Sequence, residues 1–232
     1  MAARIGRSRL IAFGAVVALW VPSLEAQVAD PDPARFDSAF AEFARWDTKN
    51  YVPENGIVMV GSSSIVRWNS AEAFPDLPII NRGFGGSQAS DIIPRVEEAV
   101  VKYDPAIVVY YAGDNDTEAG KGAEQIFEDI RAFSDAVLAA DPTTQVVILS
   151  VKPSPRRWQW WSVMQDTNAM IQRYADTLPT VHYVDIGTAM LGSDGQPIPN
   201  LYVADRLHMT QAGYDVWNRI LGPVLHRLQD DR

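Results

Sequence analysis

Three serines, Ser62-Ser63-Ser64, follow Gly61 at the end of the largely β-branched run Ile57-Val58-Met59-Val60. A serine hydroxyl is a useful nucleophile only when a neighbouring base takes its proton, and near neutral pH that base is usually histidine. The chain has three histidines. His182 falls in an apolar, strand-like run and His226 near the end of a helical one, positions where structural roles suffice. His208 closes Asp205-Arg206-Leu207-His208, and three-residue spacing in a helical turn would put carboxylate and imidazole on one face. A carboxylate so placed fixes the imidazole tautomer and stabilises the imidazolium that proton transfer creates. The serine corner itself keeps three readings: a nucleophile, an anion cradle of unpaired N–H groups, or a plain helix N-cap.

These groups can act together only if the fold brings them together. Glycine closing an apolar run, with apolar spacing resuming soon after, reads as strand, tight turn and helix start. Before it, Phe36, Phe40 and Phe43 recur at helical spacing, predicting an amphipathic helix from Pro33 to about Thr48. A second strand is predicted over Leu77 to Asn81, after which Gly83-Phe84-Gly85-Gly86-Ser87 turns into a helix running towards Lys102. The third strand, Ala106 to Ala112, is continuously apolar, as suits a strand buried on both faces of a parallel sheet. Further strands are predicted at Gln145–Val151 and Thr180–Ile186, and further helices at Ala123–Ala140, Trp161–Asp176 and Thr210–Leu228. The alternation predicts an α/β fold, a three-layer α/β/α sandwich with a five-stranded parallel, flavodoxin-like sheet. With strand order 2-1-3-4-5, ligands bind beyond the carboxyl ends of the strands, at the switch in order. The turns 83–87, 62–64 and Gly113-Asp114-Asn115-Asp116 would then meet in one place.

Taken together, these residues resemble the SGNH, or GDSL-type, hydrolase family of esterases and lipases. Four short blocks of that family have counterparts here in the family's order. Gly61-Ser62-Ser63-Ser64 resembles the Gly-Asp-Ser-Leu block, which implies Ser63 as nucleophile. Asn81-Arg82-Gly83-Phe84-Gly85-Gly86 resembles the second block and implies an oxyanion-hole N–H at Gly86. Gly113-Asp114-Asn115-Asp116 matches Gly-x-Asn-Asp, implying the Asn115 amide as a further donor beside the Ser63 N–H. Asp205-x-x-His208 matches the last block, with His208 as base and Asp205 as orienter. The resemblance runs from about Val58 to Gly213. Two positions depart from it: Ser62 stands where the family has aspartate, and Ser87 where an acidic or amide residue often follows the oxyanion glycine. The implied activity is metal-independent hydrolysis of carboxylic esters without a cofactor. Short-acyl and acetyl esters, including those of carbohydrates, are favoured because no long apolar lid segment is evident.

Composition narrows the partners. Arg4, Arg7 and Arg9 precede an apolar run from Leu10 to Val21, and Ser23-Leu24-Glu25-Ala26 offers a cleavage site, the pattern of a signal peptide over 1–26. One catalytic domain is expected over 27–232, exported to the periplasm or beyond the cell. The segment 1–26 contributes +2 to the net charge of −9, leaving −11 on 27–232. Such a surface repels phosphate backbones and anionic headgroups, so neither nucleic acid nor stable membrane association is expected. There is no cysteine, which excludes disulfides, thiolate metal sites and a cysteine nucleophile. Two rival readings are a flavodoxin-like module holding flavin or phosphate at the serine turn, and a degenerate hydrolase that only binds. The first leaves Asn115, Asp205 and His208 without a task. In the tract Pro153–Trp161, Trp161 shares a helical face with Met164, Ile171 and Tyr174 and is expected in the core. Trp158 falls off that face, where it could wall an acyl or leaving-group pocket, and exposed apolar surface there could also serve a partner.

Overall fold

The computed structural model describes residues 27–231, and the expected leader 1–26 lies outside the described residues. Five parallel strands, β1 (Ile57–Gly61), β2 (Ile79–Gly83), β3 (Ile107–Tyr111), β4 (Gln145–Leu149) and β5 (Val181–Val184), form one sheet in the order β2-β1-β3-β4-β5. The α-helices among the described residues are α1 (Asp37–Asp47), α2 (Ser63–Val66), α3 (Ser70–Ala73), α4 (Val96–Ala99), α5 (Asp114–Glu118), α6 (Ala123–Ala140), α7 (Trp161–Ala175) and α8 (Gln211–Asp230).

The side-chain alternation of a strand explains the continuous apolar runs. Ile57 and Met59 of β1, with Ile107, Val109 and Tyr111 of β3, enter one core, where they meet Ile65, Trp68 and Phe74 and the α8 residues Trp217, Leu221 and Leu225. Val58 and Val60, with Val108 and Tyr110, enter the other, packed on Phe40 of α1, on Ile126, Ile130 and Phe133 of α6, and on Ile171 of α7. Burying an aliphatic or aromatic side chain of this kind contributes about 1.5–3 kcal/mol. Both faces of the sheet are therefore covered, and the sandwich has the three layers expected.

What positions the site is the register. Gly61 lies opposite Gly83 on one side and Tyr111 on the other, so β2, β1 and β3 end at one level. Gly61 has φ +140°, and a Cβ there would sit 2.0 Å from the Tyr111 carbonyl oxygen. That oxygen accepts the Ser62 N–H at 3.0 Å, while the Gly61 carbonyl accepts the Phe84 N–H at 2.9 Å. The corner is thus held from both neighbouring strands.

Three expectations need correction. The stretch after Ser87 is not one helix: residues Ala89–Arg95 form 3-10 turns, α4 follows, and a last 3-10 turn ends at Asp104 with φ +46°. Pro94 lies inside this stretch, removing one N–H and disfavouring helical backbone at Ile93. β2 runs two residues later than expected at both ends because its pairing with β1 sets its limits. Trp161 is half-buried and stacks on Trp158, centroids 5.8 Å apart and planes 16° apart, while Met164 and Ile171 form the buried part of that helical face.

A buried lysine ties the second and third turns together. Lys121 Nζ pairs with Asp30 at 2.6 Å, Asp129 at 2.7 Å and Asp116 at 3.5 Å, and the Asp116 carboxylate accepts the Ala89 N–H at 3.0 Å. Burial pushes the Asp116 carboxyl up to about 6, against the pull of Lys121 and of the Ala89 N–H. Between that value and the usual 3.8 the folded chain holds a proton that the unfolded chain lacks, so acidification through this window favours the fold at this group.

Two outcomes follow. Gly61→Ala should lower the urea-unfolding free energy by more than about 2 kcal/mol, because strained backbone and a backbone clash coincide. Asp116→Asn keeps an acceptor for Ala89 but cannot titrate. The stability of wild type relative to this variant should rise by on the order of 2 kcal/mol as pH is lowered from about 7 to about 4, measured by urea melts at several pH values. A flat difference would contradict the assignment.

Candidate active site

The first component of the site is the corner after β1. Ser62 precedes α2 in extended backbone, and Ser63 is the first residue of that helix. Ser62 makes no side-chain capping bond and its Oγ is buried without a hydrogen-bond partner among the described residues, so capping does not account for this serine. Ser63 lines an open cleft of about 650 Å³ together with Gly86, Asn115, Arg157 and His208.

The second component is the loop before α8. Residues 203–208 are closed by the antiparallel bridge Tyr202↔Met209, and the Val203 N–H donates to the His208 carbonyl at 2.8 Å. Within it, Asp205 Oδ1 accepts the N–H groups of Leu207 and His208, both at 2.9 Å. This is a side-chain-capped turn with Arg206 at φ +62°, in place of the helical turn expected for Asp-x-x-His. The consequence for the side chains is the one foreseen. Asp205 Oδ2 lies 2.6 Å from His208 Nδ1, and His208 Nε2 lies 2.9 Å from Ser63 Oγ, across 145 positions of sequence. Burial acts to raise the Asp205 carboxyl, yet the bonds from the His208 ring and from the two N–H groups hold it well below the usual carboxylate range. Asp205 is therefore favoured in its charged form beside the ring. Carboxylate, imidazole and hydroxyl in this order can pass a proton from the serine to the ring.

The third component is a set of donor-bearing residues, Ser63, Gly86 and Asn115, that line the same cleft. The Ser63 N–H is one of the free N–H groups of the first turn of α2. Gly86 has φ +83°, and the space where its Cβ would stand is open; Gly85 comes close enough that a Cβ there would lie 3.7 Å from Ser63 Cβ. Asn115, on α5, donates from Nδ2 to the Ser87 carbonyl at 2.8 Å, which leaves its second Nδ2 hydrogen available. Ser63, Gly86, Asn115, Asp205 and His208, expected from the sequence, are thus gathered at one end of the sheet. Ser87 Oγ, like Ser62 Oγ, is buried without a partner among the described residues.

The other candidates lie elsewhere. His182 on β5 bonds Gln145 at 2.8 Å, and His226 on α8 meets Asp76 at 3.0 Å on the surface. Trp158 lines a separate cleft of about 260 Å³ with Pro155, Tyr202 and Arg206, and is not part of the wall around Ser63. A further cleft of about 540 Å³ between α1 and the outer edge of β2 contains Phe43, Trp46 and Arg82 but no hydroxyl–imidazole pair. Sequence reasoning missed a buried charge cluster beneath Asn115. Arg157 Nη2 donates to Asn115 Oδ1 at 2.9 Å and to Glu118, while Arg157 Nη1 and Lys152 Nζ lie 3.2 and 3.4 Å from Asp114 Oδ2. The only signal for it was a lysine and an arginine just past the end of an apolar strand, at the ligand-binding edge of the sheet.

Comparison with known proteins bears on the family and the fold. Residues 61–216 match the GDSL-like Lipase/Acylhydrolase family. No curated protein sequence matches the chain. Among solved structures, the chain is similar to a protein from Streptococcus pneumonia named as a platelet activating factor, with 21% identity, TM-score 0.72, and 82% of this chain and 92% of that one covered. It is also similar to a Bacteroides fragilis protein named as an acylhydrolase (23% identity, TM-score 0.71, coverage 85% and 99%). A third is a GDSL-like lipase from Bacteroides thetaiotaomicron (25% identity, TM-score 0.68, coverage 81% and 98%). With the match covering well over half of its length, the chain belongs to the GDSL-like lipase and acylhydrolase family of carboxylic ester hydrolases.

Proposed function

We infer that the chain is an exported serine esterase in which Ser63 is the nucleophile, His208 the general base and Asp205 its orienting carboxylate. The observation that carries this reading is the unbroken contact from Asp205 through His208 to Ser63, at 2.6 and 2.9 Å. Ser63 Oγ attacks the ester carbonyl as His208 Nε2 takes its proton. The carbonyl oxygen becomes an oxyanion, held by the N–H groups of Ser63 and Gly86 and by Asn115 Nδ2. Each such donor contributes roughly 3–4 kcal/mol in the transition state. His208 then protonates the departing alcohol. Water, deprotonated by the same imidazole, releases the acyl group and restores Ser63.

Small or short-acyl esters are the substrates this reading favours. The wall of the cleft carries the polar side chains Arg67, Gln88 and Glu118 beside aliphatic surface from Val66, Ala119 and Leu207. A polar alcohol, such as an acetylated carbohydrate, suits such a wall better than a long acyl chain. We also read residues 1–26 as a leader removed on export, on the strength of their arginine, apolar and small-residue pattern.

Hydrolysis of p-nitrophenyl esters of graded chain length tests the reading. Turnover should be highest for acetate and butyrate and should drop by at least about a thousandfold in Ser63→Ala and in His208→Ala. His182→Ala and His226→Ala should retain most of the wild-type rate. Full turnover in Ser63→Ala would remove that serine from the mechanism, and a preference for long chains would overturn the substrate assignment.

A further inference from the structure

Asn115 lies in an unusual setting for a side-chain donor. Its amide could rotate by half a turn, exchanging Oδ1 and Nδ2, and only one of the two orientations offers a hydrogen to an oxyanion. Two bonds decide between them. Oδ1 accepts from Arg157 Nη2 at 2.9 Å, and Nδ2 donates to the Ser87 carbonyl at 2.8 Å. In the rotated amide, Nδ2 would face a guanidinium that can only donate, and Oδ1 would face a carbonyl that can only accept. Both contacts would become repulsive, so the second Nδ2 hydrogen keeps its place in the cleft.

The guanidinium is itself held in place. Its side chain is only 4% exposed, Nη2 donates to both Asn115 and Glu118, and Nη1 lies at ion-pair distance, 3.2 Å, from Asp114. Asp114 is buried with Lys152. Lys152 Nζ also donates to the Leu207 carbonyl at 3.1 Å, next to His208, so the same carboxylate supports both the Asn115 arm and the histidine loop. A planar fork that meets several acceptors at fixed angles is something arginine supplies and lysine does not.

We propose that Arg157 is a positioning residue for ester hydrolysis, acting through Asn115: its Nη2 fixes the Asn115 amide in the orientation that presents Nδ2 to the developing oxyanion. This rests on the reading of Asn115 as an oxyanion donor. Its effect falls on the transition state, because the ground-state carbonyl needs the donor far less than the oxyanion does.

A double-mutant cycle on the full chain, read with p-nitrophenyl acetate, tests the proposal. Asn115→Ala should lower kcat by about a hundredfold. Arg157→Lys, which keeps a cation beside Asp114 and Glu118, should lower kcat about tenfold while KM changes by less than about twofold. In the Asn115→Ala background the same Arg157→Lys change should cost less than about twofold, because the group it positions is gone. Circular dichroism melts accompany each variant, and Arg157→Gln replaces Arg157→Lys should the latter not fold. An equal loss from the Arg157 change in both backgrounds would overturn the proposal, as would an unchanged kcat in the single variant. If Asn115→Ala alone leaves kcat intact, the oxyanion reading fails with it, and the two failures are told apart by that single variant.

Discussion

The carbonyl oxygen of Tyr111 fixes the geometry on which the site depends. It approaches Gly61 so closely that only a hydrogen fits at that Cα, and it accepts the N–H of the next residue, Ser62. Those two facts set where the chain leaves β1 and in which direction. With Phe84 bonded to the Gly61 carbonyl from the other side, the turns after β2, β1 and β3 become one surface. A fold with the same strands in the same order but a looser corner would leave the serine, the glycine N–H and the asparagine as three separate features. Orientation of this kind is where much of an enzyme's rate advantage arises, since reacting groups held in place need not be collected from solution.

Electrostatics supports the same corner from below. Asn115 sits between two buried carboxylates that point in different directions along α5. Asp116 turns to Lys121 and the Ala89 N–H; Asp114 turns to Lys152 and Arg157. Burial pushes the Asp114 carboxyl upward, yet the two cations beside it bring it below the usual carboxylate range, and burial draws the Lys152 ammonium down. Buried ion pairs of this sort add little net stability, because desolvation offsets most of their attraction. What they supply is direction: each admits few arrangements of its partners. An acidic chain has thus placed cations in its interior, at the points where the reacting end of the sheet needs rigidity.

Much of this was legible in the residues, and the exceptions have physical causes. The five strands and the two longest helices follow from apolar runs and periodicity, signals carried by neighbouring positions. Helix α6 matches its expected span, Ala123–Ala140, at both ends. Where Pro94 interrupts the pattern, a single expected helix becomes a chain of tight turns. Asp205 and His208 do share a face, but through an Asx-type turn with Arg206 in the left-handed region, a geometry their spacing does not specify. Trp161 has the right period for the core yet sits in the first turn of α7, where Trp158 takes the place of the interior as its partner. Arg157 was hidden for another reason. Its partners are 39 and 42 positions away, and no periodicity links residues that only the sheet brings together.

The buried hydroxyls of Ser62 and Ser87, without partners among the described residues, bear on stability more than on the proton path. A buried hydroxyl with no partner lowers stability by on the order of 1–3 kcal/mol relative to a bonded or apolar group. Both stand immediately beside residues of the site, yet neither lies on the path from Asp205 to Ser63. A substitution at either position therefore acts on stability while leaving the contacts from Asp205 through His208 to Ser63 as they are.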